Sequence, residues 1–125
     1  MPAEYKIDKS KKMVFTKAYG ILTDQEAYTH QDKLRNDPDF DPGYSQLIDS
    51  TNVKNPENLS LEAIYKLAER NPFGAGSLRA FVASNRLLYV MFHVFQTITE
   101  KHPDEIVIFK DLTEARRFLK LETNG

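Results

Sequence analysis

Leu78-Arg79-Ala80-Phe81-Val82-Ala83 runs through Ser84-Asn85 into Arg86-Leu87-Leu88-Tyr89-Val90-Met91-Phe92-His93-Val94-Phe95-Gln96-Thr97-Ile98-Thr99-Glu100-Lys101. The first run is short and almost wholly apolar, which predicts a strand covered on both faces. Ser84 or Asn85 can cap a helix, and the residues to Lys101 repeat their apolar members at helical spacing. Pro103 lies just beyond, and Ile106-Val107-Ile108-Phe109 is a second apolar run. Strand, helix, strand in that order is the repeating unit of a parallel sheet.

The same alternation extends in both directions. Upstream, Tyr5 and Ile7 alternate with Lys6 and Asp8, and Met13 to Tyr19 follows after the polar link Lys9 to Lys12. That short link predicts an antiparallel hairpin. Gly20 ends the second strand, and Thr23 with Glu26 forms a capping box for a helix to about Asn36. Asp37-Pro38 and Asp41-Pro42-Gly43 stop it, because each proline disfavours helix in the residue before it.

Tyr44 to Asp49 reads as a strand and Ser50 to Asn58 as a polar loop. Ser60 caps a helix ending near Asn71, with Leu61, Ile64, Leu67 and Ala68 inward. Downstream, Asp111 and Glu114 open a last helix whose inner residues are Leu112, Ala115, Phe118 and Leu119. The expectation is an α/β fold: a mostly parallel four- to five-stranded sheet with flanking helices and an antiparallel N-terminal hairpin. Met13–Tyr19, Tyr44–Asp49, Leu78–Ala83 and Ile106–Phe109 should be parallel neighbours. No linker divides the chain, so residues 1–125 read as one domain.

Composition removes several classes of function. The chain has 17 basic and 18 acidic residues and a net charge of -1, without the basic excess of a nucleic-acid binder. It has 0 cysteines, which excludes disulfides, thiolate metal sites and a cysteine nucleophile. The longest apolar run, Leu87 to Phe92, is too short to span a membrane, and the polar start Met1 to Lys12 lacks the pattern of a signal peptide. A cytoplasmic protein is the expectation.

The chain resembles the SpoIIAA-like proteins, bacterial relatives of the STAS domain (sulfate transporter and anti-sigma-factor antagonist). Five segments carry the resemblance: Tyr19-Gly20-Ile21-Leu22-Thr23, Leu47-Ile48-Asp49, Leu59-Ser60-Leu61-Glu62, Arg79-Ala80-Phe81-Val82-Ala83, and Val107-Ile108-Phe109-Lys110-Asp111 with Glu114-Ala115. It implies a four- or five-stranded sheet flanked by helices and no established activity; membrane association and binding of apolar ligands are ideas attached to that fold. STAS anti-sigma antagonists are phosphorylated on a serine at a helix start, which makes Ser60, and Ser50 in Asp49-Ser50-Thr51, candidate phosphoacceptors. The Asp-Ser-Ser-Gly-like context of that serine is missing around Ser60.

Catalytic patterns are sparse. Asp49, Ser84 and Lys110 each end a strand, as in receiver domains. The acidic pair that would hold magnesium there is replaced by Ala18-Tyr19-Gly20, and a lone aspartate is a poor cation site. No metal and no cofactor are expected. His30, His93 and His102 lack metal-ligand spacing. His30, on the inner stripe with Ala27 and Leu34, and Asp49 are candidate polar groups of a cleft. There is no Gly-x-Ser-x-Gly elbow, and Gly74-Ala75-Gly76 runs from helix to strand, the reverse of a dinucleotide loop.

The helix 86–101 carries the leading functional expectation. At 100° per residue, Leu87, Leu88, Met91, Val94, Phe95 and Ile98 fill one face, while Val90 and Phe92 widen the arc to roughly 200°. A surface helix needs about half that. Packing against the last helix would cover the excess. The functional expectation is a non-catalytic domain that binds a protein partner or a small apolar ligand here, through Phe73, Tyr89, Val90, Phe92 and His93. A homodimer seam is a third occupant. A membrane contact is disfavoured because no lysine-rich flank accompanies the arc. The alternative class is a phospho-regulated STAS-type signalling domain, and a small-molecule enzyme is the third.

Overall fold

A computed structural model describes residues 3–121. It contains β1 (Ala3–Asp8), β2 (Met13–Ile21), α1 (Asp24–Arg35), β3 (Ser45–Asn55), α2 (Leu61–Glu69), β4 (Leu78–Val82), α3 (Arg86–Ile98), β5 (Glu105–Phe109) and α4 (Leu112–Phe118). The five strands form one sheet in the order β1-β2-β3-β4-β5. β1 pairs antiparallel with β2, and β2 through β5 are parallel, as the alternation of elements predicts.

Each parallel strand is added on the same side of its predecessor, so connections of one hand must all cross one face. Accordingly α1, α2 and α3 share a core with Ala18, Phe81 and Ile106 on that face. α4 covers Met13, Leu47, Ala80 and Val82 on the other. This corrects the expected neighbour of α3, which packs against α2 and β5 rather than the last helix. β4, covered on both faces, is buried from Arg79 to Val82.

The caps follow their side chains. Thr23 Oγ1 accepts the Glu26 N–H, Ser60 Oγ that of Ala63, and Asn85 Oδ1 that of Leu88. At the start of α4 the Asp111 carboxylate accepts the Thr113 N–H, not that of Glu114, so these two residues do not close a capping box.

β3 is longer than its sequence suggests. Ser50 to Asn55, expected as loop, continues the strand because β2 extends alongside it, pairing Tyr19 with Asn52 and Gly20 with Val53. Gly20 therefore does not end β2. At φ +66°, a conformation glycine adopts readily, it lies at a register shift and re-aims the strand. Tertiary pairing overrides the polar composition of 50–55.

Candidate functional site: a cavity beneath the sheet

Between the sheet and α1–α3 lies a cavity of about 140 Å³. It is not sealed: the pocket opens in part to the surface. Three small side chains, Ala18, Ala27 and Ser50, are part of its lining. The pleat presents Thr16, Ala18, Ile48 and Phe81 from the sheet, while α2 supplies Ile64 and Leu67 and α3 supplies Phe92 and Phe95.

Three buried polar atoms on this mainly apolar wall have no hydrogen-bond partner among the described residues: His30 Nε2, Gln31 Oε1 and Ser50 Oγ. An unpaired buried polar group costs about 1–3 kcal/mol, so three around one cavity call for a partner from outside the chain, a water or a ligand. Gln31 is oriented by its own amide, whose Nε2 donates to the Leu67 carbonyl at 2.9 Å. Burial, reinforced by the charge of Lys33, pushes the His30 pKa down to about 4. The imidazole is neutral at pH 7. Behind it the Tyr5 ring packs edge-on at 5.4 Å.

Arg79 closes one end. It is 5% exposed, and its guanidinium lies 4.0 Å from the centre of the Phe73 ring and 5.0 Å from that of Phe81. Nε donates to Gln46 Oε1 at 2.9 Å, and Nη1 donates to Asp104 Oδ2 at 3.0 Å and Asn71 Oδ1 at 3.1 Å. Burial pushes Arg79 down to about 10, against the opposing attraction of Asp104. Burial pushes the Asp104 carboxyl up, but the Arg79 charge and hydrogen bonds from Asn71, Arg79 and His102 outweigh it and hold the group low. The pair is ionised at neutral pH and self-compensating. Sequence reading passed over both residues. The available signal was Arg79 itself, a single charge in an apolar strand, which must find a buried partner.

The residues singled out from the sequence are scattered. Phe92 lines the cavity and meets Phe81 edge-on at 5.0 Å. Phe73 also lines it and is 2% exposed, which corrects its place on an outer surface: its ring meets Phe40 edge-on at 5.1 Å and lies under the Arg79 guanidinium. Val90 (52% exposed) and Leu87 (42%) face out, so Leu87 is not on the buried face; Leu61 of α2, also expected inward, is exposed too. Tyr89 packs against the His93 ring and lies beneath the Lys110 ammonium. Gln96 of α3 donates its side-chain N–H to the Ile106 carbonyl at 2.6 Å.

Ser50 is corrected from loop to strand interior, and at 1% exposure its hydroxyl is withheld from a kinase. Ser60 is half-buried. Its N–H and Oγ donate to the two Asp24 carboxylate oxygens, each at 2.7 Å. Asp49 and His30 do not share a cleft. Asp49 faces the α4 side beside Leu112, and its carboxylate accepts the Thr51 N–H and hydroxyl.

Among the described residues no group of three histidine or acidic side chains is placed to hold a metal. No described helix is long and apolar enough to cross a membrane. Compared with known proteins, the chain matches no family model and no curated protein sequence.

Proposed function

We propose that this protein is a non-catalytic SpoIIAA-like domain that holds a small, mainly apolar molecule between its sheet and helices α1–α3. One observation carries the reading: a cavity of about 140 Å³, apolar over most of its wall, whose lining includes three residues with an unpartnered buried polar atom. A cavity of about 150 Å³ lined only by apolar side chains binds benzene, so the volume suits a ligand of one ring. The polar atoms distinguish this wall from such a packing defect. His30 Nε2 and Ser50 Oγ find no hydrogen-bond partner among the described residues, where an apolar side chain would need none.

Holding, rather than transforming, is supported by the chemistry around the cavity. Nucleophilic catalysis needs a hydroxyl hydrogen-bonded to a base. Ser50 Oγ and His30 Nε2 are both unpartnered, so neither bonds the other. The five-stranded sheet is compatible with the four- or five-stranded sheet that the SpoIIAA-like resemblance implies, and membership of that group is part of this proposal. Relative to the sequence-based expectation, the ligand moves from the outer arc of α3 to its inner side, through Phe92 and Phe95.

Titration with toluene, followed by ligand-observed NMR, tests the proposal. Saturable binding to the wild type, lost in Ala27→Leu, which projects a larger side chain into the cavity, is expected. Absence of saturable binding, or equal binding by both proteins, contradicts it.

A further inference from the structure

We infer that the ligand is an uncharged molecule, about one aromatic ring in size, that carries a hydroxyl group: a simple phenol fits the description. The inference rests on the ligand-holding reading above and adds its chemistry.

The three unpartnered atoms restrict what can satisfy them. Gln31 Oε1 is a pure acceptor, and the Leu67 carbonyl holding Nε2 prevents the amide from flipping to present a donor. The partner it lacks must therefore donate. Ser50 Oγ can donate and accept. The neutral His30 ring presents Nε2 as one or the other according to tautomer. A hydroxyl, which donates one hydrogen and accepts through two lone pairs, can meet any of the three. An ether or ketone cannot serve Gln31, and a carboxylate, which only accepts, leaves it unpaired.

Charge restricts the ligand further. Among the described residues no aspartate or glutamate lines the cavity, so a cationic ligand would find no counter-ion there. Arg79, a buried cation on the wall, is already compensated by Asp104 at 3.0 Å. An anion entering the cavity would add an unpaired charge to a low-dielectric space, a cost avoided by a neutral molecule. The walls favour an aromatic body. Phe81, Phe92 and Phe95 surround the site, and Phe81 and Phe92 already meet edge-on, the arrangement a further ring joins readily.

Isothermal titration at pH 7 with toluene, p-cresol and benzoate separates the components. Toluene supplies the ring alone, p-cresol the ring with a neutral hydroxyl, and benzoate a ring with an anion. The expected order is p-cresol at least tenfold tighter than toluene, with benzoate weaker than both. In Ser50→Ala and in Gln31→Leu the preference for p-cresol should shrink to threefold or less, while toluene affinity stays within threefold of wild type. Equal affinities for toluene and p-cresol would overturn the hydroxyl assignment, as would a preference intact in both variants, yet leave the ligand-holding reading standing. Benzoate as the tightest ligand would overturn the neutral assignment. Failure of both toluene and p-cresol to bind would overturn the ligand-holding reading itself.

Discussion

The Asp24 carboxylate accepts both the backbone N–H and the hydroxyl of Ser60, each at 2.7 Å, so the first residue of α1 holds the residue that opens α2. Hydrogen bonds to a charged acceptor are the stronger kind, and this fork fixes two helix starts against each other. Asp24→Ala should cost about 2 kcal/mol. Ser60→Asp should cost about 1 kcal/mol or more, through carboxylate facing carboxylate, and markedly less when combined with Asp24→Ala. Urea denaturation of the four proteins measures this cycle. Additive effects would show that the fork carries no coupling. A phosphate on Ser60 would meet the same repulsion, which is why the phospho-regulated reading gains nothing from the geometry.

Acid should weaken the fold through His30. Its folded pKa, about 4, lies below the ordinary histidine value, so below pH 6.5 the unfolded chain binds a proton that the folded chain refuses. Stability therefore falls as pH drops from about 6.5 toward 4 and is fully present above that window. Between pH 7 and pH 5 the loss should be about 2 kcal/mol. His30→Gln, which does not titrate, should abolish most of it. An unchanged pH dependence in that variant would mean that the imidazole is charged or solvated in the folded protein.

The two apolar neighbours Val90 and Phe92 should separate sharply on substitution. Val90 is 52% exposed, and Val90→Glu should stay within about 0.5 kcal/mol of wild type. Phe92 packs edge-on against Phe81 beside the cavity, and Phe92→Glu should lower stability by about 3 kcal/mol or more without altering association state. Thermal melts and analytical ultracentrifugation read both quantities. A stable Phe92→Glu protein that loses a self-association seen in wild type would restore the outer arc of α3 as the functional surface.

The sequence disclosed the frame because local signals and tertiary demands agree there. Thr23 and Ser60 are capping residues that cap, and the apolar run from Ala80 to Val82 is a strand buried on both faces. Where they disagree, the reading failed. Residues 50–55 are polar, and only the neighbouring β2 makes them a strand. Leu87 fits the apolar arc of α3, yet α2 and β5 define which part of that arc is covered.

The cavity was partly legible. His30 was visible as the odd polar residue on an inner stripe, and Phe92 as an apolar residue beyond what the sheet needs. Their convergence with Gln31 and Ser50 was not visible, because it depends on the register of β3 and on the side of the sheet taken by α1. Arg79 and Asp104, far apart in sequence, meet only once β4 and the loop before β5 are in place.

The account stands most directly on where a small aromatic molecule goes. Isotope-filtered nuclear Overhauser spectra of the protein saturated with toluene locate the ring against assigned side chains. Contacts from the toluene protons to Ile48, Ile64 and Phe81, on the wall beneath the sheet, are predicted. Contacts confined to Leu87 and Val90 on the outer side of α3, or none at all, would contradict it.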